Sequence, residues 1–224
     1  MVVEEPRDGE VGVDLGLSCF AVLSNGQKFE NPRWLRGSEE KLKRLQRKLS
    51  RQVKGSKSRE KTRLRLALQH EKVTKERNDF LNKISYKLTH EYGFIGMESL
   101  NVGGMLKNHK LAKSISDSGW SQFVRQIQYK ALGYGSSLGQ IGSFEPSTIE
   151  CHNCAALKGN LSLKDREWVC PHCSMHHERD INAAIVILNK SRAGRAQIYA
   201  GGESVSPGTF RPLAVLCEAG SPSL

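Results

Sequence analysis

Four cysteines in the second half of the chain have the spacing of a metal site. Cys151 and Cys154 are separated by two residues, and after fifteen more residues Cys170 and Cys173 repeat that spacing. Two residues between cysteines let one turn present both thiolates to a tetrahedral ion, and two such turns complete a shell of four sulfurs. A shell without an open position is structural rather than catalytic. The spacing therefore predicts a structural Zn²⁺ site of the zinc-ribbon type, with metal-free surface cysteines as the alternative.

Neighbouring residues leave two features of this site open. Zinc-ribbon turns usually place glycine after the second cysteine, whereas Ala155 and Ser174 stand there in this chain, so we expect strained turns. The remaining cysteines, Cys19 and Cys217, are expected to be free thiols, because closely paired cysteines in a reducing compartment favour metal binding. Four histidines lie near the cysteine pairs and are alternative ligands: His152, His172, His176 and His177.

Three carboxylates occur where apolar segments begin, end or are interrupted. Asp14 lies inside the apolar segment VGVDLGL, Glu98 ends FIGM, and Asp180 precedes INAAIVILNK. An unpaired carboxylate in an apolar strand costs several kcal/mol unless a group such as a metal compensates. If the three share one side of the fold, they provide oxygen ligands for two Mg²⁺ or Mn²⁺ ions about 3.5–4 Å apart, which suits phosphodiester hydrolysis. Simpler interpretations are a turn or salt-bridge residue, a strand-end charge and a helix N-cap, respectively.

The first half of the chain predicts strands followed by long helices. Segments 11–17 and 19–24, the turn Asn25-Gly26 and a short QKF return predict three antiparallel strands. From residue 38 to about 92, leucines recur with helical spacing, and a break at Gly55-Ser56 divides the pattern into two helices of an antiparallel hairpin. Residues 93–100 predict a buried strand ending at Glu98 and followed by a polar loop.

The second half predicts a helix, a strand and a second helix. Asp117 or Ser118 is expected to cap the first of these helices, and 137–144 is expected to form the strand. After the cysteines, 181–190 has the composition of a buried helix. From about Ala193 the periodicity is lost, which indicates a loose tail.

Charge and hydropathy limit the class of protein. The chain is 38% hydrophobic and 25% charged, as in ordinary globular proteins. Because no segment has the apolar length of a membrane span and the N-terminus lacks a secretory pattern, we expect no membrane partner and a cytoplasmic, nucleoid-associated protein. The net charge of +11 indicates a polyanionic partner.

The positive charge is concentrated in the predicted hairpin. Residues 33–77 contain 17 Lys and Arg against five Glu, which exceeds the surplus of the whole chain. Such residues contact phosphates and carry little sequence specificity, although a solvated helical face is the alternative. The expected phosphate contacts are Lys41, Lys43, Arg44, Arg47, Lys48, Arg51, Lys54, Lys57, Arg59, Lys61, Arg63 and Arg65.

An ordered set of segments resembles a known family. VGVDLGL, IGMESLNVGGM, DSGWSQFVRQIQYKA, the two cysteine pairs and ERDINAAIVIL resemble the C-terminal half of the transposon-encoded TnpB (OrfB) proteins, which are relatives of type V CRISPR effectors. The resemblance implies an α/β, RNase H-like (RuvC-like) mixed sheet with a helical hairpin insertion and an inserted zinc ribbon. The implied boundaries are 1–148 for the nuclease core, with the hairpin at about 38–92, then 149–177 for the ribbon, 178–192 for the last motif and helix, and 193–224 for a disordered tail.

The resemblance also implies an activity. By position in the family's three nuclease motifs, Asp14, Glu98 and Asp180 are implied to be catalytic residues that bind Mg²⁺ or Mn²⁺. The third motif here has Glu178 where the family usually has Asp, and residues 142–145 lack the usual aromatic and basic side chains. Full-length members begin with a domain that binds guide RNA, so we expect a chain truncated at its N-terminus or one that uses a partner.

These observations predict a DNA endonuclease core whose relatives are RNA-guided. A catalytically silent nucleic-acid-binding fragment is the first alternative, and a ribosome-associated zinc-ribbon protein is the second. Guide RNA is a further expected partner, although we expect the main domain that binds it to be absent from this sequence.

Overall fold

A five-stranded mixed sheet lies at the centre of the fold. β1 (Glu10–Leu15) pairs antiparallel with β2 (Cys19–Leu23), and β2 pairs antiparallel with β3 (Lys28–Glu30). β4 (Phe94–Glu98) and β5 (Ser137–Ile141) continue the sheet in parallel, so that the strand order is β3-β2-β1-β4-β5. The three antiparallel strands and the strand ending at Glu98 are confirmed.

The structure, a computed structural model, describes residues 8–142, 145–159, 161–162 and 164–200, with the backbone alone for 194–200. The last predicted strand of the sheet ends at Ile141, and residues 143 and 144 of that prediction lie outside the described residues.

Two helices after β3 form the predicted hairpin. α1 (Trp34–Ser50) begins four residues earlier than expected, and α2 (Lys57–Glu91) begins after the predicted break. The early start of α1 has a tertiary cause, because both carboxylate oxygens of Asp117 accept from the backbone N–H of Leu35, at 3.2 and 3.0 Å. A carboxylate at this position satisfies N–H groups that the helix itself leaves unpaired.

Helix α2 buries its apolar side chains in its second half more than in its first. Its second half buries Leu81, Ile84 and Leu88 against the sheet, as the spacing predicts. In its first half, Leu64 and Leu68 are 60% and 53% exposed. Helix α1 packs against α2 in the hairpin, and the helical periodicity of this half indicated more burial than the hairpin provides.

The segment between β4 and β5 is more helical than expected. The predicted polar loop contains α3 (Val102–Met105) and α4 (Ala112–Ser118), which are followed by α5 (Trp120–Tyr134). The expected cap of α5 is wrong: α5 follows Gly119, whose φ of 70° forms the corner after α4, and no side chain caps it. Asp117 is instead directed to the start of α1.

The two faces of the sheet are covered differently. Alternate residues of β1 and β4 contribute to an apolar core with α2 and α5, in which Phe20 packs edge-on against Phe80 and Phe123 at 5.2 and 5.0 Å. The opposite face is covered by α6 (Arg179–Ala200). Helix α6 confirms the buried helix of 181–190, but the loose tail expected from Ala193 is wrong as far as Ala200, and 201–224 lie outside the described residues.

A small two-stranded sheet precedes α6. β6 (Glu167–Val169) and β7 (His176–Glu178) pair antiparallel, and β7 runs directly into α6. The sequence predicted the cysteine turns of this region but not these strands. Among the described helices, none combines the length and apolar character needed to cross a membrane.

Candidate functional site

The parallel pairing of β1 and β4 places Asp14 beside Glu98. Gly12 and Val13 pair with Gly96 and Met97, so the two carboxylates follow at the adjacent carboxyl ends of the strands. Each lies two residues after a glycine and therefore faces the same side as that glycine, the side that α6 covers. Both side chains are partly buried.

A row of three glycines determines where α6 sits. Gly12, Gly96 and Gly139 are paired in register across β1, β4 and β5. A Cβ atom on Gly12 would collide with the backbone carbonyl of Ala184, and one on Gly96 would lie 2.9 Å from Oγ of Ser191. Because α6 approaches the sheet this closely, its first turn brings Asp180 over the ends of β1 and β4.

We refer to Asp14, Glu98 and Asp180 as the carboxylate cluster. The pKa of Asp14 is raised to about 7. Burial is the main cause, the nearby charges of Glu98 and Asp180 add to it, and the charge of Arg179 opposes it. Like charges around a buried carboxylate favour a bound cation, and oxygen ligands suit Mg²⁺ or Mn²⁺. The three carboxylates predicted from the sequence therefore share one place in the fold, although their catalytic role stays a prediction.

Two arginines that the sequence did not single out contact Asp180. Arg179 Nε lies 3.2 Å from Oδ1 of Asp180, and Arg166 Nη1 lies 3.4 Å from Oδ2. Arg166 also donates to the hydroxyl of Ser18 at 3.0 Å, which connects the ribbon to the turn after β1. Arg166 stands between the cysteine pairs with no local pattern to mark it. Only the pairing of β6 with β7 brings it to Asp180.

Ser147 completes the polar surroundings of the cluster. Its buried hydroxyl donates to Oε1 of Glu98. Beside Asp14 and Asp180 lies an open cleft of about 390 Å³, which Met105 and Trp120 also line. The cleft gives an extended ligand access to the carboxylates.

The four cysteines also come together, and we refer to them as the cysteine cluster. Their sulfur atoms all lie within 4.8 Å of one another, with Cys151–Cys173 and Cys154–Cys170 at 3.6 Å. Sulfurs placed at the usual Zn–S distance around a tetrahedral ion are about 3.8 Å apart. The cluster could therefore hold a metal ion such as Zn²⁺.

The two turns of the cysteine cluster have the same backbone geometry. In the first turn, Cys151 N donates to the carbonyl of Ala156 and Ala155 N donates to the carbonyl of Cys151, both at 2.9 Å. In the second turn, Cys170 N donates to the carbonyl of Met175 at 2.9 Å, and Ser174 N donates to the carbonyl of Cys170 at 3.0 Å. Ala155 and Ser174 have φ of 57° and 58°, so both adopt the left-handed conformation that favours glycine. The strain expected from the missing glycines is confirmed.

The pKa values of the cysteines also indicate that the ionised cluster needs a bound cation. The pKa of Cys173 is lowered to about 6, mainly by a hydrogen bond from the side chain of Asn153 and next by one from the backbone of Met175. At Cys154 the backbone hydrogen bond from Ala156 acts in the same direction, but burial and the other three cysteines outweigh it and raise the pKa to about 12. Four thiolates at this spacing repel one another, so full ionisation needs a cation.

The remaining predicted ligands and thiols have distinct positions. His177 is buried with Nε2 3.1 Å from Sγ of Cys151, next to the cluster but not among its ligand atoms. His152 contacts α6, whereas His172 and His176 are exposed. Cys19 lies apart from the cluster, and Cys217 lies outside the described residues.

The twelve basic residues predicted to contact nucleic acid have different surroundings. Arg59 donates to the carbonyls of Leu49 and Gln52 at 2.7 and 3.2 Å, so it stabilises the hairpin turn. Lys43 is paired with Glu39 at 2.9 Å. Five lie along one exposed face of α1 and at its C-terminal end, which we call the basic face: Lys41, Arg44, Arg47, Lys48 and Arg51. The others are exposed around the turn and on α2: Lys54, Lys57, Lys61, Arg63 and Arg65.

Comparison with known proteins covers nearly the whole described chain. The OrfB_IS605 family model, described as "Probable transposase", matches residues 3–109, and the Cas12f1-like TNB domain model matches residues 120–187. A protein of Streptomyces pristinaespiralis named "Putative RNA-guided DNA endonuclease" is 40% identical over 83% of this chain and 46% of its own length. InsQ of Escherichia coli (strain K12), named in the same way, is 32% identical over 93% of this chain and 54% of its own length.

Solved structures show a similar fold. A Cas12f1 complex with sgRNA and target DNA matches with a TM-score of 0.56 and 16% identity, over 84% of this chain and 51% of that chain. A CRISPR-Cas12f ternary complex matches with a TM-score of 0.57 and 17% identity, over 84% and 40%. The chain spans about half the length of the curated relatives it matches. Together the two family models and these relatives show that the chain belongs to the TnpB (OrfB) family.

Proposed function

We propose that this chain is the nuclease core of an RNA-guided DNA endonuclease and that the carboxylate cluster cleaves DNA phosphodiester bonds. The observation that carries the proposal is the convergence of Asp14, Glu98 and Asp180 from three separate elements, with Asp14 and Asp180 lining one cleft. Burial, together with the charges of the other two carboxylates, raises the pKa of Asp14 to about 7. Curated relatives named RNA-guided DNA endonucleases support the same reaction and substrate class.

We assign the fold to the RNase H-like, RuvC-like type that the resemblance implies. Three antiparallel strands followed by two parallel ones, with α6 across one face, support this assignment. Residues 1–148 then form the core with the hairpin, 149–177 the inserted ribbon and 178–192 the last motif.

The proposed cofactors at the cleft are Mg²⁺ or Mn²⁺ ions held by Asp14, Glu98 and Asp180. When bound there, such ions supply an activated water and stabilise the charge on the leaving oxygen. The hydroxyl of Ser147 fixes the orientation of Glu98 through its hydrogen bond. Arg166 and Arg179 orient Asp180, and their positive charge attracts a phosphate group to the mouth of the cleft.

The proposed nucleic-acid contact is the basic face of α1. Its five side chains share one helix surface, and none of them is needed to close the hairpin turn, in contrast to Arg59. DNA and a guide RNA are both polyanions of the kind that such a surface binds without reading sequence. Zn²⁺ in the cysteine cluster is proposed to be structural, because four sulfurs leave no open position.

Cleavage of supercoiled plasmid and single-stranded DNA with Mg²⁺ or Mn²⁺ tests the proposal. We expect the unsubstituted chain to nick DNA and Asp14→Asn to lose that activity while keeping its affinity for DNA. Asp79→Asn is the matched control, because Asp79 is exposed and paired with Lys83 far from the cleft. DNA binding without cleavage in all three proteins would instead support a silent nucleic-acid-binding fragment.

A further inference from the structure

Asn182 joins the first turn of α6 to the first cysteine turn. It is the fourth residue of α6, and its side chain is 1% exposed. Its Oδ1 accepts from the backbone N–H of His152 at 3.0 Å, and its Nδ2 donates to the backbone carbonyl of Glu150 at 2.7 Å. The amide therefore spans Cys151 on both sides, and we refer to these bonds as the Asn182 bridge.

The contacts around the bridge fix its orientation and extend it to the cysteine cluster. Nδ1 of His152 lies 2.9 Å from the same Oδ1, so the amide oxygen faces two donors and the amide nitrogen faces an acceptor. The His152 ring packs edge-on against His177 at 4.8 Å, and Nε2 of His177 lies 3.1 Å from Sγ of Cys151. One continuous set of contacts thus runs from α6 to a sulfur of the cluster.

The bridge is also close to the carboxylate cluster. Asp180 lies two residues before Asn182 in the same helical turn, where consecutive residues rise by about 1.5 Å. A shift of Asn182 must therefore move Asp180 by a similar amount. A second link, from Lys190 to Glu150 at 2.7 Å, acts more than two turns further along α6 and does not fix its first turn.

We propose that Asn182 is a positioning residue, which makes the placement of Asp180 depend on metal binding in the cysteine cluster. The inference rests on the proposed function for its consequence in catalysis, but the coupling itself is a property of the fold. Metal in the cluster fixes Cys151, the Asn182 bridge fixes the first turn of α6 to the peptide groups on either side of Cys151, and Asp180 takes its position from that turn.

Backbone amide exchange across 180–184, measured with and without added Zn²⁺, tests this coupling apart from cleavage. We expect Zn²⁺ to slow exchange in the unsubstituted chain and to have no such effect in Asn182→Ala, although Asn182→Ala still binds Zn²⁺ through its four cysteines. A purely structural role would speed exchange equally with and without metal and leave the effect of Zn²⁺ intact. That outcome would overturn the proposal.

Two further variants make the test independent of how well Asn182→Ala folds. Asn189→Ala removes the same amide from an exposed position of α6 and is expected to keep the full effect of Zn²⁺. Asn182→Asp keeps the size of the side chain and the accepting oxygen but sets an oxygen against the Glu150 carbonyl, so the effect of Zn²⁺ is expected to fall about tenfold. An unchanged effect in Asn182→Asp would contradict the proposal.

Cleavage then separates the inference from the proposed function. If the carboxylate cluster cuts DNA, Asn182→Ala is expected to lower the cleavage rate by about tenfold or more at unchanged zinc content. If the unsubstituted chain does not cut DNA, the proposed function fails, and the exchange measurement still decides whether Asn182 couples the two clusters.

Discussion

Gly12 on β1 and Ala184 on α6 lie so close that no side chain fits between them. A Cβ atom at Gly12 would collide with the Ala184 carbonyl, and the same atom would lie 2.9 Å from Cβ of Leu188. Because Asp14 follows Gly12 by two residues and Asp180 precedes Ala184 by four, this approach determines the separation of two members of the carboxylate cluster. Backbone contact therefore sets the distance between α6 and β1 beside the cleft.

Gly12→Ala is expected to displace α6 from the sheet. Overpacking of this kind costs about 1–3 kcal/mol of stability, and the movement of Asp180 should also reduce metal-dependent cleavage. Urea unfolding and a nicking assay measure the two effects. Gly37→Ala is the matched control, because no atom lies within 4 Å of the added methyl group and alanine favours the helix. Equal stability of the two variants would contradict the close approach.

The raised pKa of Asp14 predicts how stability changes with pH. In the folded protein the pKa rises from 3.8 to about 7, so between these values the folded state holds a proton that the unfolded chain releases. Without divalent ions at the carboxylate cluster, stability should therefore fall as the pH rises from about 4 to about 7. The slope is on the order of 1.4 kcal/mol per pH unit at most.

Asp14→Asn is expected to remove this part of the slope, and urea unfolding in magnesium-free buffer at several pH values measures it. Asp79→Asn, at an exposed ion pair, should keep the slope of the unsubstituted chain. Added Mg²⁺ should stabilise the protein more at pH 8 than at pH 6, because a protonated Asp14 binds a cation poorly. The same slope in Asp14→Asn and the unsubstituted chain would show that another group titrates.

Removal of one sulfur is expected to abolish metal binding at the cysteine cluster. Cys151→Ser and Cys170→Ser replace buried members of the cluster, whereas Cys19→Ser replaces a cysteine outside it. Metal content of the purified proteins should be near one zinc for Cys19→Ser and near zero for the other two. His177→Ala should retain its zinc, because the histidine only contacts Cys151. If the single substitution His177→Ala removed the zinc, that histidine would be a ligand.

Substitution on the basic face should weaken DNA binding in a way that depends on salt. Arg44→Gln combined with Lys48→Gln removes two charges from the exposed face of α1. The slope of log affinity against log salt should become shallower by about one for each phosphate that the variant no longer binds. Lys75→Gln with Lys83→Gln removes the same charge from residues paired with Glu71 and Asp79, and should change the slope less. Equal slopes would place the nucleic-acid contact elsewhere.

The sequence was sufficient for the elements that carry their own pattern. Alternation and a turn signal predicted the first three strands, and the spacing of the cysteines predicted a cluster that the fold assembles. Three apolar segments marked the carboxylates that converge in the fold. Only the family resemblance favoured a shared site over the simpler interpretation of each carboxylate.

What sequence reasoning missed depends on contacts between distant segments. Arg166 reaches Asp180 only through the pairing of β6 with β7, and Asp117 leaves its own helix to satisfy the start of α1. The charge of Arg59 predicts a contact with nucleic acid, whereas its guanidinium donates to the carbonyl of Leu49 at the turn between α1 and α2. Such side chains resemble their neighbours in the sequence and differ only in what the fold brings near them.

Ser174→Gly is expected to stabilise the cysteine cluster. A non-glycine residue in the left-handed conformation lowers the stability of the folded state by about 1–2 kcal/mol. Glycine removes this strain, but part of the gain is lost because glycine gives the unfolded chain more conformational freedom. The exposed hydroxyl of Ser174 offsets little, so the net gain should be about 0.5–1 kcal/mol. Unfolding in urea and competition with a zinc-binding dye measure it. Ala155→Gly, at φ 57° in the equivalent turn, should give a similar gain, whereas Gly119→Ala, at φ 70° and 3.2 Å from Arg77 and Leu81, should lose stability. If Ser174→Gly were less stable than the unsubstituted chain, the left-handed turn after Cys173 would be wrong.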